Sequence, residues 1–300
     1  MPGFALKMTA ATHVGLVRTN NEDNFIICPD LVRQNWTETV PDRPIPLGKK
    51  GALMVVADGM GGMNAGEVAS ELAVNSLKES FSAMESLPGD IGQFLKDAIV
   101  KADKEIKDYI EKDCSTSGMG TTVVLCWLLG STAHIAWCGD SRAYLFNRQT
   151  GLIRLSKDHS YVQELIDSGK LDPELAIYHP NSNIITRSLG DVPTVAQADY
   201  LSRELAPGDT FLLCSDGLCG LCRDEEIQEM LTVERPGIEA YRDALIEGAL
   251  EADGHDNVTV ALCECIPAPR NSRRRTHLLV ALAALAALLL LALAVWFFLI

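Results

Sequence analysis

Residues 55–73 read VVADGMGGMNAGEVASELA. A run of strand-forming residues ends on an acid, Asp58, and passes at once into a glycine-rich turn. Gly66 then opens a stretch with helical spacing. A strand-to-helix turn is one reading, with Asp58 as a turn former and the glycines supplying positive φ. A ligand site is the other: the acid binds a cation, and backbone without side chains lets a substrate come close. The stretch alone leaves both open.

Elsewhere the chain repeats the arrangement. TFLLCS at 210–215 runs into Asp216-Gly217, AWCG at 136–139 precedes Asp140-Ser-Arg142, and Gly254-His-Asp256-Asn257 stands before the strand-like VTVALC. Near the N-terminus, Arg18-Thr-Asn-Asn-Glu22-Asp23 precedes NFIIC. Acids are depleted within strands and common in turns, so one such case is ordinary. Five, most of them next to glycine, point to carboxylates gathered at one edge of a β core. There they would repel one another and take up protons unless a cation neutralised them. Hard divalent ions such as Mg²⁺ and Mn²⁺ accept oxygen ligands and need few carboxylates. The six histidines show no zinc spacing.

The wider pattern gives strands at Thr9–Gly15, Asn24–Cys28 and Leu53–Ala57, then helices over 66–82 and 91–112. Strands follow at Thr121–Leu129, Ala133–Cys138 and Ala143–Phe146. An irregular segment, 158–190, holds a helical piece near Tyr161–Ser168. Strands at Val195–Leu201 and Thr210–Cys214, a helix over 237–252 and a strand at Asn257–Cys263 complete the pattern. Strands in runs with helices inserted predict an α+β fold with largely antiparallel sheets.

The 300 residues are 47% apolar, and part of that is concentrated at 278–300, LLVALAALAALLLLALAVWFFLI. A membrane span needs about 20 such residues. Arg270, Arg273, Arg274 and Arg275 flank it in a basic linker, 267–277, and positive flanks stay on the cytoplasmic side. The expected organisation is one domain, 1–266, facing the cytoplasm and held by a single-pass C-terminal anchor. No signal peptide is expected at the N-terminus. Ahead of residue 270 stand 22 basic and 40 acidic residues, a formal charge of −18. That surface excludes nucleic acid as a partner. The nine cysteines, including the C-x-x-C at Cys219–Cys222, read as reduced and mostly part of the core.

With these residues in view, the chain resembles the metal-dependent protein phosphatase family (PPM, the type 2C serine/threonine phosphatases) in its bacterial form. The matching elements are VRTNNEDNF, VVADGMGG, SGMGTTVV, WCGDSRAYL, DHSYVQEL, NIITRSLG, LLCSDGL and GHDNVTV, in the family's order across about residues 9–263. The resemblance implies a four-layer α-β-β-α sandwich with two antiparallel sheets. It implies that phosphoserine and phosphothreonine are hydrolysed by direct attack of a water activated at a dinuclear Mn²⁺ or Mg²⁺ centre. It makes Asp58 the acid bridging two ions, with Gly59 offering a carbonyl to one and Asp216 and Asp256 completing the other. Glu22 and Asp23 serve the first ion, mostly through water, and Asp140 with Asp216 holds a third. Arg18 fits the phosphate-binding arginine. Phosphoprotein substrates and an opposing Ser/Thr kinase are the implied partners. One departure stands out: Met60 occupies the place where animal relatives carry a histidine proposed as general acid, and His159 and His179 are unassigned. Asp158 reads equally as a turn residue or as a flap residue near the third ion, and Ser141 and Arg142 as braces for Asp140. Two rivals remain: a non-catalytic phosphoprotein sensor with this fold, and a two-metal hydrolase of small phosphoesters.

Overall fold

The computed structural model describes residues 3–37, 43–61 and 65–268. Twelve strands among them form two antiparallel sheets. In chain order they are β1 (Phe4–His13), β2 (Asp23–Cys28), β3 (Ile45–Pro46), β4 (Ala52–Met60), β5 (Gly120–Thr121), β6 (Val123–Leu129), β7 (Thr132–Cys138), β8 (Arg142–Asn147), β9 (Gly151–Arg154), β10 (Asp199–Glu204), β11 (Thr210–Cys214) and β12 (Val258–Pro267). The first sheet runs β3-β1-β12-β11-β8-β9, and the second β10-β7-β6-β4-β2, with β5 paired to β4.

Alternate residues of the central strands face opposite ways, and both faces are apolar because both are covered. Leu6, Met8, Met54, Val56, Val124, Phe211, Leu213 and Cys263 meet between the sheets. The other side of the second sheet packs on α1 (Gly66–Ser82) and α2 (Ile91–Lys112) through Leu53, Val55, Trp127, Leu77, Phe81 and Ile99. On the first sheet, Tyr144, Leu212, Val260 and Leu262 pack on α4 (Asp216–Cys219), α5 (Asp224–Thr232) and α6 (Ile238–Glu251). The order is helix, sheet, sheet, helix. In α2 the buried Leu95, Ile99, Ala102 and Ile106 recur at helical spacing, and the Asp90 side chain accepts from the Gln93 amide at 2.9 Å to cap it. The remaining helix, α3 (Tyr161–Asp167), sits in the irregular segment as expected.

Four differences from the sequence pattern have physical reasons. β1 begins at Phe4 rather than Thr9, because Leu6 and Met8 already alternate into the inter-sheet core and pair with Cys265 and Cys263. β10 begins at Asp199 rather than Val195, because the Ala196 amide is taken by the Asp103 carboxylate (3.1 Å) instead of a neighbouring strand. Both α4 and α5 escape periodicity because they are only 4 and 9 residues long. In α5 three acids crowd the first turn and Glu226 accepts from the Arg223 amide at 2.8 Å, so its signal is electrostatic.

All nine cysteines are free thiols; eight are buried and Cys114 is exposed. Among the described residues no helix is long and apolar enough to cross a membrane. The expected anchor at 278–300 and nearly all of its linker lie outside the described residues. The last described backbone follows β12 directly, with the Ala268 amide donating to the Gly3 carbonyl at 2.8 Å.

Trp127 carries much of the helix–sheet contact. It is fully buried, edge-on to Phe81 at 5.2 Å, and its indole N–H donates to the Lys50 carbonyl at 2.8 Å. Trp127→Ala is expected to cost about 3–5 kcal/mol of stability, read as a lower denaturant midpoint in equilibrium unfolding.

Candidate metal centre

Strand ends bring the acids together. In the antiparallel pairing of β2 with β4, Asp23 lies directly opposite Asp58. Asp140 follows β7, Asp216 opens α4 at the end of β11, and Asp256 precedes β12 by one residue. β8, β11 and β12 are in register there, Arg142 opposite Cys214 and Cys214 opposite Val260, so all five acids occupy the same end of the two sheets.

Close backbone approach makes the gathering possible. A Cβ on Gly59 would stand 2.2 Å from the Gly66 carbonyl oxygen and 2.4 Å from that of Glu22, and one on Gly217 would stand 1.8 Å from the Asn257 carbonyl oxygen. Neither glycine is needed for a positive φ. Of the glycines described in the 59–66 stretch, only Gly61 has one, at 155°. Among the described glycines of this motif, Gly59 and Gly66 serve close contact and Gly61 the turn.

The backbone of Asp58 is fixed by Thr122, whose amide donates to the Asp58 carbonyl at 2.8 Å, and by the Thr121 hydroxyl, also at 2.8 Å. Thr122 Oγ1 is in turn 2.7 Å from Ser141 Oγ. Asp23 is buried; the Ser215 hydroxyl donates to its Oδ2 at 2.7 Å and Thr259 Oγ1 lies at the same distance. Asn257 accepts from the Glu22 amide at 2.7 Å and donates to the Val14 and Asn20 carbonyls, both at 2.9 Å, clamping the loop that delivers Glu22 and Asp23. Its own amide meets Asp256 Oδ1 at 2.8 Å. Glu22 places its carboxylate against Gly66 at the start of α1. Arg18, half exposed, donates to Asp256 Oδ2 at 2.8 Å.

The electrostatics are those of acids with too few partners. Burial, then the charge of Asp216, raises Asp58 well above the usual carboxylate range. Burial lifts Asp23 to about 7 in spite of its two hydroxyl contacts. Burial, Asp216 and Asp158 lift Asp140 to about 8. Asp216 and Glu22 are raised too, burial first in each. Among the described residues no three His, Cys, Asp or Glu stand ready to hold an ion as placed. The acids are settled on nearer partners: Asp256 on Arg18, Asp23 on its hydroxyls. The donor set still fits a hard divalent cation. Every candidate ligand is an oxygen, and Asp23 Oδ1 is buried with no hydrogen-bond partner at all, a state that a water or cation would relieve.

Three neighbours of the site acquire partners that the sequence did not specify. Arg142 does not brace Asp140; it makes paired contacts with Asp158 (2.8 and 3.1 Å) and reaches the Tyr144 hydroxyl at 3.0 Å. Asp158 also meets Arg154, so it pins the irregular segment to β8 and β9. His159 is buried against Trp137, accepts from the Gly139 amide at 3.0 Å, and is lowered in pKa by burial, which gives it a structural role. Ser215, Thr259 and the Asn257 side chain were not singled out as supports of Asp23 and its loop. The one available signal was a threonine inside the apolar run VTVALC.

A model of the protein phosphatase 2C family matches residues 9–165. The chain belongs to that family. It is 36% identical over 255 residues to the serine/threonine phosphatase stp of Listeria monocytogenes, spanning 84% of this chain and 93% of that protein. The structure is similar to that of the Mycobacterium tuberculosis serine/threonine phosphatase PstP/Ppp, with a TM-score of 0.72, 34% identity, and 87% and 98% of the two chains covered. It is similar also to the catalytic domain of PstP in complex with two manganese ions, with a TM-score of 0.71, 33% identity, and 88% and 99% covered. Protein phosphatase 2C members are metal-dependent serine/threonine phosphatases, and the enzyme class read from the motifs stands.

The raised carboxyls have a thermodynamic sign. Folded-state values above the unfolded ones stabilise the metal-free fold below about pH 4, and that support is withdrawn as pH climbs through 7–8, where Asp23 and Asp140 titrate. In EDTA, Tm is therefore expected to fall between pH 5 and pH 8. Saturating Mn²⁺ should raise it most at pH 8. A Tm in EDTA that climbs over that interval would contradict the buried-acid account.

Proposed function

We propose that this chain removes phosphate from phosphoserine and phosphothreonine in proteins, with Mn²⁺ or Mg²⁺ held by the five-acid end of the sheets. The observation that carries the reading is the Asp23–Asp58 pair, opposite each other in register, with the buried Asp23 Oδ1 lacking any hydrogen-bond partner among the described residues. Asp58 would be among the residues that hold the ions. The Gly59 carbonyl would serve one of them, aided by Glu22 and Asp23 largely through water, and Asp216 and Asp256 the other. Asp140 with Asp216 would hold a third. When bound, such ions lower the pKa of water and offset charge on phosphoryl oxygens.

The chain's own groups do the rest. Arg18 stands at the exposed rim with its guanidinium on Asp256, so an arriving phosphate meets a planar, bidentate donor already placed. The hydroxyls nearest the acids are those of Ser215, Thr259, Thr122 and Ser141. Each is buried and already hydrogen-bonded within the framework. With the Thr121 hydroxyl likewise taken by the Asp58 carbonyl, no neighbouring hydroxyl is free to form a phosphoenzyme, which favours water as the nucleophile. His159 is held on both nitrogens, Nδ1 by the Gly139 amide at 3.0 Å and Nε2 by Asp199 at 3.3 Å, so we assign it to the framework.

The rival sensor reading predicts missing acids, whereas Asp58, Asp216 and Asp256 are present and gathered. We also read 278–300 as a membrane anchor that keeps the enzyme beside a membrane-associated Ser/Thr kinase, a confinement that raises effective concentration. Its support is compositional: 23 consecutive residues without a charge.

Two outcomes are expected. Asp58→Asn should reduce kcat on a phosphothreonine protein by at least about 100-fold, of the order seen when a preorganised electrostatic group is lost. Excess EDTA should do the same to the wild type, with Mn²⁺ restoring it; activity that survives both treatments excludes the metal reading, and turnover confined to nitrophenyl phosphate favours the small-phosphoester rival. A chain ending at Ala268 should move from the membrane pellet to the supernatant on fractionation, while the full chain stays in the pellet.

A further inference from the structure

A cleft of about 290 Å³ opens next to the carboxylates, lined by Met60, Ile110, Met119, Ser188, Asp191 and Val192. Met60 lies two residues beyond Asp58 on β4, roughly 7 Å along the strand. The cleft therefore lies one strand repeat from Asp58, within reach of a side chain neighbouring a phosphorylated residue at the acids. Its walls combine two methionines and a valine that is 64% exposed with a single acid at the edge.

We propose that this cleft receives a lysine or arginine side chain that neighbours the phosphorylated residue of a protein substrate, with Asp191 as the specificity-determining acid. The proposal rests on the phosphatase reading above. A long basic side chain has the right two-part chemistry: a hydrocarbon stem for Met60, Met119 and Val192, and a charged head for a carboxylate. Methionine suits such a stem because it re-packs around different shapes.

The charge at the cleft is available. Asp191 Oδ2 accepts from the Thr194 hydroxyl at 2.7 Å, and among the described residues the carboxylate pairs with no cation. The cation on the adjoining face of α2, Lys107, is already held by Asp103 at 2.8 Å and by the Thr194 carbonyl. The Asp103 carboxylate is spent on that lysine and on the Gly190 and Ala196 amides. Asp191 thus presents an uncompensated charge to whatever fills the space. An acidic side chain there would meet Asp191 directly, in a domain already carrying a formal −18. The cleft accordingly discriminates by repulsion as well as attraction.

The experiment uses the full chain in detergent with saturating Mn²⁺ and a set of phosphothreonine peptides. Each position from three residues before to three after the phosphothreonine carries Lys, Ala or Glu in turn. Lys at one or two positions on one side is expected to raise kcat/KM about threefold over Ala and about tenfold over Glu, shrinking as salt is added. Asp191→Asn, which keeps the acceptor for Thr194, should bring the three peptides within about twofold of one another. Asp191→Lys should invert the order. Turnover of nitrophenyl phosphate should be unchanged in both variants. Equal kcat/KM for Lys and Glu at every position, or a Lys preference that persists in Asp191→Asn, overturns the inference and leaves the phosphatase reading intact. Hydrolysis of nitrophenyl phosphate with no turnover of any phosphopeptide overturns the reading itself, and the inference with it.

Discussion

The register of β2 against β4 is the constraint on which the site depends. It sets the buried Asp23 opposite the half-buried Asp58. Like charges facing each other on neighbouring strands are unfavourable at a surface and far more so when buried. The fold tolerates the pair only with a proton or a cation between its members. Everything around the pair works to prevent escape: hydroxyls hold Asp23, threonines hold the Asp58 backbone, and glycines let the flanking chain close in. This is a site whose chemistry is stored as unfinished neutralisation.

The supports are spread over both sheets, so the site is a product of the whole sandwich rather than of one loop. Asn257, between Asp256 and β12, clamps the turn that carries Glu22 from the opposite end of the sequence. Ser215, just beyond β11, and Thr259 of β12 reach across from the first sheet to Asp23 at the start of a strand in the second. The two sheets are thus joined by apolar packing along most of their length and by hydrogen bonds at the end where the acids lie. Arg142 performs a parallel task on the outer side, tying the irregular segment to the first sheet through Asp158.

Most of this was legible in the residue order, for identifiable reasons. Asp58, Asp216 and Asp256 stand out because an acid abutting an apolar run beside glycine is unusual when repeated. The α+β class follows from strands arriving in runs. What could not be read were roles that depend on who sits across the gap. Nothing local distinguishes Ser215 as a partner of Asp23, 192 residues away. Asn257 stands next to Asp256 and its amide does touch it, but its side chain serves the Glu22 loop. Arg142 follows Asp140 closely in sequence, yet strand alternation turns it toward Asp158. His159 lay in a segment without periodicity, where burial is invisible to pattern. Phe4–Met8 were passed over because strand pairing with the far end of the chain leaves no nearby trace.

The pairing of β1 with β12 has a mechanical corollary. Phe4 lies opposite Pro267, while His13 and Val258 close the ladder at the far end beside Asp256. Both ends of the domain therefore emerge side by side, about ten residues of strand, or roughly 30 Å, from the acids. Any tether, tag or fused module joined at either terminus pulls on the rear of the molecule and leaves the mouth unobstructed.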